Sequence, residues 1–187
     1  MKLLKSTYIG LFVTLSLLLS VSCSDSNHDY VKRGTLDFST ESYPIIPETR
    51  PDGTWEANVT FTLNDISNLY AGDDLYGIEI YQSSFELWLQ EGLYFRTGDD
   101  IIIQLQNDNG EPLSINYIID RPGINNLYID DSDEEYYYFV RAFFNRLYNN
   151  GSVRLYIVVD MVDRYGPIVG QPFDVYFTND LDLYIRN

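Results

Sequence analysis

From about Lys32 to the C-terminus, apolar and polar residues alternate in short runs. Trp55, Ala57, Val59, Phe61 and Leu63 alternate with Glu56, Asn58, Thr60 and Thr62, the two-residue period of a strand with one buried face. Tyr76, Ile78 and Ile80 repeat the pattern, then Phe85, Leu87 and Leu89. Ile101 to Leu105, Leu113 to Ile119, and Val153, Leu155, Ile157, Val159 and Met161 follow. Phe173, Val175 and Phe177 lead into Leu181, Leu183 and Ile185, which predict a final pair of strands. Turn residues separate the runs: Pro51-Asp52-Gly53, Gly72-Asp73-Asp74, Gly98-Asp99-Asp100, Asn107 to Gly110, Arg121-Pro122-Gly123 and Asn149-Asn150-Gly151. Seven to nine short strands at this spacing predict a mainly β chain, an antiparallel β-sandwich of immunoglobulin-like type.

One segment departs from that period. Ser132-x-x-Glu135 has the form of a capping box, Asp131 to Glu135 favour a helix start, and Gly151 suits a helix end. Arg141, Asn145, Arg146 and Asn149 fall on one helical face, and Val140, Phe143, Phe144 and Leu147 on the other. The spacing predicts one short helix near residues 133–148. The alternative is a strand over Tyr136 to Tyr148, paired with 153–161 through the hairpin turn Asn150-Gly151. A second, shorter helical turn is expected over Asp65 to Tyr70.

The N-terminus has a different pattern. Lys2 and Lys5 precede an apolar stretch, Tyr8 to Leu19, and Ser20-Val21-Ser22 leads to Cys23, the one cysteine of the chain. About a dozen apolar residues cannot span a hydrocarbon core about 30 Å thick, so a cleaved export signal over 1–22 is expected. The arrangement resembles a bacterial lipoprotein signal, in which the cysteine becomes the acylated, palmitate-bearing N-terminus. The resemblance implies lipidation at Cys23. One departure from that pattern is Ser20, three places before the cysteine, where leucine is usual. Ordinary signal peptidase cleavage at the small residues Ser20 and Ser22 would cut the same bond. Residues 23–31 then form a tether, and 32–187 a single domain, since about 165 residues suit one core better than two.

Charge and composition narrow the partners. The net charge is −16, and removing residues 1–22 takes away two lysines and no acids, leaving −18 with Lys32 as the last lysine. So acidic a surface repels phosphate backbones and anionic headgroups, which argues against nucleic acid and against electrostatic membrane docking. Membrane contact is expected through the N-terminal lipid alone.

Candidate chemistry is sparse. The acidic run Asp130, Asp131, Asp133, Glu134, Glu135 offers hard oxygen ligands, with Asp131, Asp133 and Glu135 as candidate Ca²⁺ ligands. It lacks the glycine and spacing of an EF-hand loop, and a helix start explains the same acids. The turns at Gly72 and Gly98 could share an ion if the fold brought them together. The one histidine, His28, lies in the tether, so no Ser-His-Asp or Cys-His set can assemble in the domain. No catalytic residue and no resident cofactor are predicted. Sixteen tyrosines remain after residue 22, with Trp55 and Trp88. Their apolar faces and polar tips suit sugar stacking and protein docking. Trp88, Tyr94, Tyr136, Tyr137 and Tyr138 are the candidate ligand platform. Tyrosines filling strand margins, where β-propensity favours them, would explain the same residues.

The signal ending at Cys23, the Ser24-Asp25 dipeptide after it, and the acidic, tyrosine-rich strands resemble uncharacterised cell-envelope lipoproteins of Bacteroidota with a small β-sandwich domain. The layout from Leu147-Tyr148-Asn149-Asn150-Gly151 through the final strands adds to that resemblance. It implies a lipid-anchored protein of the outer membrane or cell surface of a Gram-negative bacterium, and it carries no functional residues. The expected function is a non-catalytic binding or structural role towards an envelope protein or a glycan. The alternative is an envelope glycoside hydrolase or a calcium-dependent adhesion module.

Overall fold

The computed structural model describes residues 29–41, 48–49, 54–106, 112–161 and 173–186. The signal segment, Cys23, His28 and the turns at 51–53 and 107–110 lie outside the described residues. Among the described residues nine strands and one helix follow in order: β1 (Tyr30–Ser39), β2 (Glu48–Thr49), β3 (Thr54–Thr62), β4 (Asp74–Leu89), β5 (Asp100–Gln106), β6 (Leu113–Ile118), β7 (Asn126–Asp130), α1 (Glu134–Asn150), β8 (Ser152–Asp160) and β9 (Phe173–Arg186). A single 3₁₀ turn at Leu63–Asp65, begun by Thr62 and Asp65, takes the place of the helical turn expected over 65–70. Tyr30 and Val31 already belong to β1.

The strands form two antiparallel sheets, one in the order β1-β9-β4-β7 and one in the order β2-β3-β8-β5-β6. This is the expected sandwich, and its connectivity is of jelly-roll type. In an immunoglobulin sandwich the first two strands are sheet neighbours. Here β1 pairs with β9, the last described strand, over its full length, and six of the eight connections between successive described strands change sheet. Alternation dictates which side of a strand is apolar; it does not dictate which strand lies beside it.

Two long strands carry the four-stranded sheet, and sequence pattern splits each of them into two. β9 runs unbroken for 14 residues, and β4 for 16 with register shifts between Leu75 and Gly77 and between Ile80 and Gln82. These bulges add a residue each, which keeps Leu75, Ile78, Ile80, Phe85 and Leu87 opposite the buried Ile185, Leu183, Leu181, Phe177 and Val175. The apparent break in both strands is one buried polar pair. Ser83 lies opposite Asn179 in register, and both are fully buried. Ser83 Oγ donates to Asn179 Oδ1 at 2.7 Å, and Asn179 Nδ2 donates to the Leu36 carbonyl of β1 at 2.9 Å. With its own proton committed, Ser83 Oγ accepts from the Tyr136 hydroxyl of α1 at 2.8 Å. This chain of bonds joins three strands to the helix and satisfies polar groups that would otherwise be costly to bury.

The helix forms where expected. Asp133 is the N-cap, its carboxylate accepting from the Tyr136 amide at 2.9 Å. Gly151 closes the helix with φ 74°, a left-handed conformation that favours glycine, and its N–H donates to the Leu147 carbonyl. Tyr136, Phe139, Val140, Phe143, Phe144 and Leu147 form the buried stripe. The helix touches β4 and β7 of one sheet and β6 and β8 of the other, so it closes the side of the sandwich where β6 and β7 are edge strands. Phe143 reaches both sheets, edge to face with Phe61 of β3 at 5.3 Å and with Phe177 of β9 at 5.2 Å.

Candidate functional site

The bond chain at Ser83 and the cap at Asp133 set where α1 lies against β4, and between them they leave a cleft. Its volume is about 430 Å³, and its lining is Ile78, Glu79 and Ile80 from β4 with Tyr137, Arg141, Phe144 and Asn145 from α1. The cleft exists because β7 pairs with β4 only over Ser84–Trp88. Among the described residues, the first half of β4 therefore has β9 on one side and no strand on the other. The helix stands beside that open edge.

Each lining residue follows from its element. Ile78 and Ile80 belong to the inward face of β4, and Phe144 to the buried stripe of α1, so the floor is apolar. Tyr137, Arg141 and Asn145 recur at four-residue spacing along the exposed side of the helix and form one wall. The Arg141 guanidinium lies 5.7 Å from the Tyr137 ring centre, and Tyr137 packs edge to face on Tyr138 at 5.8 Å. Glu79 accepts from the Tyr184 hydroxyl at 2.7 Å, which holds its carboxylate in place and raises the Tyr184 pKa. The cleft thus offers an aromatic ring, guanidinium and amide donors, and a carboxylate acceptor over an apolar floor.

The sequence-predicted site residues do not converge. Tyr136 is fully buried with its hydroxyl on Ser83, and burial drives its pKa far up, so it leaves the candidate platform. Tyr137 faces the cleft and Tyr138 is exposed beside it. Trp88 lies on the outer face of the four-stranded sheet, its indole N–H donating to Glu86 at 2.9 Å. Tyr94 is exposed in the connection from β4 to β5.

The acidic run is spent on starting the helix. Asp130 accepts from the Ser132 amide and hydroxyl, which lowers its pKa, and Asp133 caps α1. Asp131, Asp133 and Glu135 do not form an ion-holding set, and no group of three or more His, Cys, Asp or Glu that could do so occurs among the described residues. Nor do the two glycine turns meet, because the 16 residues of β4 lie between them. Asp73 instead pairs with Lys32 at 2.7 Å, which depresses its pKa, and Asp99 accepts from the Arg96 amide at 2.8 Å. Two carboxylates do stand side by side: Asp100 and Asp160 are register partners on the five-stranded sheet. Partial burial and the Asp160 charge raise the Asp100 pKa. They lie on the outer face of the five-stranded sheet, and neither belongs to the cleft lining.

Glu79, Arg141 and Asn145 escaped sequence reasoning as a site. The polar face of α1 was visible in the 141, 145 spacing, yet the strand edge that faces it was not.

No protein-family description matches the chain, and no curated protein is similar to it. Three solved structures have a low similarity. TmCBM61 in complex with β-1,4-galactotriose is 11% identical, with 83% of this chain and 88% of that chain covered and a TM-score of 0.29. Desmodium yellow mottle tymovirus is 8% identical over 87% and 91%, with a TM-score of 0.39. The decameric BFDV capsid protein is 14% identical over 85% and 99%, with a TM-score of 0.31.

Proposed function

We propose that this chain is an exported, non-catalytic binding protein of the bacterial envelope, anchored by a lipid on Cys23, whose β4–α1 cleft holds a glycan. The observation that carries the reading is the cleft lining. Tyr137 supplies a ring for a sugar face, Arg141 and Asn145 supply donors, and Glu79 supplies an acceptor held by Tyr184. A sugar ring presents an apolar face and a rim of hydroxyls that both donate and accept, which is the chemistry these groups match. A peptide strand added to the open edge of β4 is a second occupant to weigh. The edge is unfavourable for it: bulges at both ends of Gly77–Ile80 and the charge of Glu79 are devices that blunt strand addition.

The test is calorimetric titration of the full-length chain in a non-ionic detergent with neutral and acidic oligosaccharides of a few units. At least one class binds, and Arg141→Ala and Tyr137→Ala each weaken it by about tenfold, the scale of one charge-assisted hydrogen bond or one stacking contact. Both side chains lie at the surface, so the fold tolerates their loss. Binding that ignores both variants, or no binding by any oligosaccharide, overturns the assignment. The anchor has its own readout. Metabolic labelling with a palmitate analogue marks the wild type and not Cys23→Ala, and an unlabelled wild type removes the lipid from the account.

A further inference from the structure

On the outer face of the four-stranded sheet, cation recognition by tyrosine and carboxylate is already visible within the chain. Arg33 lies 4.0 Å from the Tyr81 ring centre and pairs with Asp182 at 3.0 Å. Arg186 lies 5.0 Å from the Tyr76 ring and 3.7 Å from Asp29. Both cations sit at the end of the sheet where β1 and β4 begin and β9 ends, and both are engaged.

The opposite end of the same face has the aromatic and acidic half of that pairing. Tyr176 of β9, Glu86 of β4 and Tyr128 of β7 are register partners in one row across three strands. Trp88 stands in the next row, tied to Glu86 through its indole N–H. Neighbouring strands are about 4.8 Å apart, so Tyr176 and Tyr128 stand about 10 Å apart with the carboxylate between them. Tyr128 is 52% exposed and Trp88 38%. Carboxylates crowd this end: Glu41 accepts from the Tyr176 hydroxyl and pushes its pKa up to about 12, and desolvation, followed by the nearby Asp130 and Glu86, raises that of Tyr128. Among the described residues no cation stacks on Trp88, Tyr128 or Tyr176.

We infer that this end of the sheet face is a docking surface for an arginine-bearing extended segment of a partner protein, with the guanidinium between the rings of Tyr176 and Tyr128 and against Glu86. Charge complementarity favours a cationic partner over a neutral one on a chain of net charge −16. Arginine fits better than lysine because its planar fork stacks on aromatic faces while donating to a carboxylate, as Arg33 does on the same sheet. The surface is separate from the β4–α1 cleft and shares none of its lining residues.

Trp88 makes the site directly observable, because the other tryptophan, Trp55, is buried at 2% exposure. The probe is an end-capped peptide alternating arginine and threonine, added to the full-length chain in non-ionic detergent while acrylamide quenching of tryptophan is followed. The arginine peptide protects Trp88 saturably and less so as salt rises. The citrulline counterpart, which keeps the shape without the charge, gives no protection, and the lysine counterpart binds at least about threefold more weakly. Glu86→Gln and Tyr128→Ala each weaken the arginine peptide by about tenfold, while Arg141→Ala in the cleft leaves it unchanged. Glu86→Gln keeps size and surface position, so its effect is not one of folding. Equal binding of the arginine and lysine peptides by wild type and variants would reduce the effect to diffuse attraction and overturn the inference. Protection by oligosaccharides instead of peptide would make the face a sugar platform. Protection that grows with protein concentration alone would make it a contact between copies. Either result overturns it as well.

Discussion

Phe143→Ala is expected to lower unfolding stability by about 3–5 kcal/mol, a large share of the roughly 5–15 kcal/mol that holds a domain of this size. Phe143 is fully buried and touches Phe144 at 5.0 Å, Phe61 of one sheet and Phe177 of the other. Phe61 in turn meets Phe177 at 5.9 Å and Phe38 at 5.6 Å. Removing the ring takes away the side chain through which α1 contacts both sheets at once, and leaves a cavity among aromatic rings that cannot collapse without moving a strand. Phe143→Leu keeps most of the volume and should cost less than half as much. Chemical denaturation of both variants checks this, with the midpoint shift as the readout. A loss under about 1 kcal/mol for the alanine variant would mean that the helix is not packed as described.

The second large effect is expected at Asn179. Asn179→Leu removes the acceptor of Ser83 and the donor to Leu36, leaving the Leu36 carbonyl without its amide partner inside the sandwich. The expected cost is about 2–4 kcal/mol, mainly the desolvation of groups left unpaired rather than the intrinsic worth of the bonds. The same reasoning fixes the direction of a companion variant. Combining Asn179→Leu with Ser83→Ala and Tyr136→Phe removes three members of the chain of bonds together, and should be less destabilised than the sum of the separate losses. Additive losses across the three changes would show that these groups act independently.

The Asn179 result bears on what sequence can express. The apolar runs 173–177 and 181–185 read as two strands because Asn179 sits between them, and Ser83 similarly divides β4. Thr178-Asn179-Asp180 and Gln82-Ser83-Ser84 are runs of three polar residues between apolar alternants, the ordinary mark of a turn. Only the pairing of two distant strands shows that Asn179 and Ser83 serve each other, 96 residues apart. The short β7 went unread for a related reason: Asn126 to Asp130 offers only two inward residues, Leu127 and Ile129, too few to establish a period. Tyr136 shows the same limit in the site. Its neighbours Tyr137 and Tyr138 turn outward while it turns in, and the helical stripe that separates them is clear only once the helix is placed.

By itself the sequence determined the layer type, the number of strands to within its predicted range, and a helix closed by Gly151, while a strand over 136–148 stayed open and the cap fell on Asp133 rather than Ser132. These follow from local causes: a two-residue period for strands, a one-sided polar spacing before a glycine for the helix. Tertiary structure alone decided the jelly-roll order, the continuity of β4 and β9, and the two surfaces on which function is proposed. The cleft needs β7 to stop short along β4 so that α1 faces an open edge. The aromatic row needs three strands in one register, so that Tyr176, Glu86 and Tyr128 become neighbours. Alternation specifies which side of a strand meets water, and it is silent on which strand comes next to it. A site assembled across strands is therefore written in the pairing rather than in the pattern.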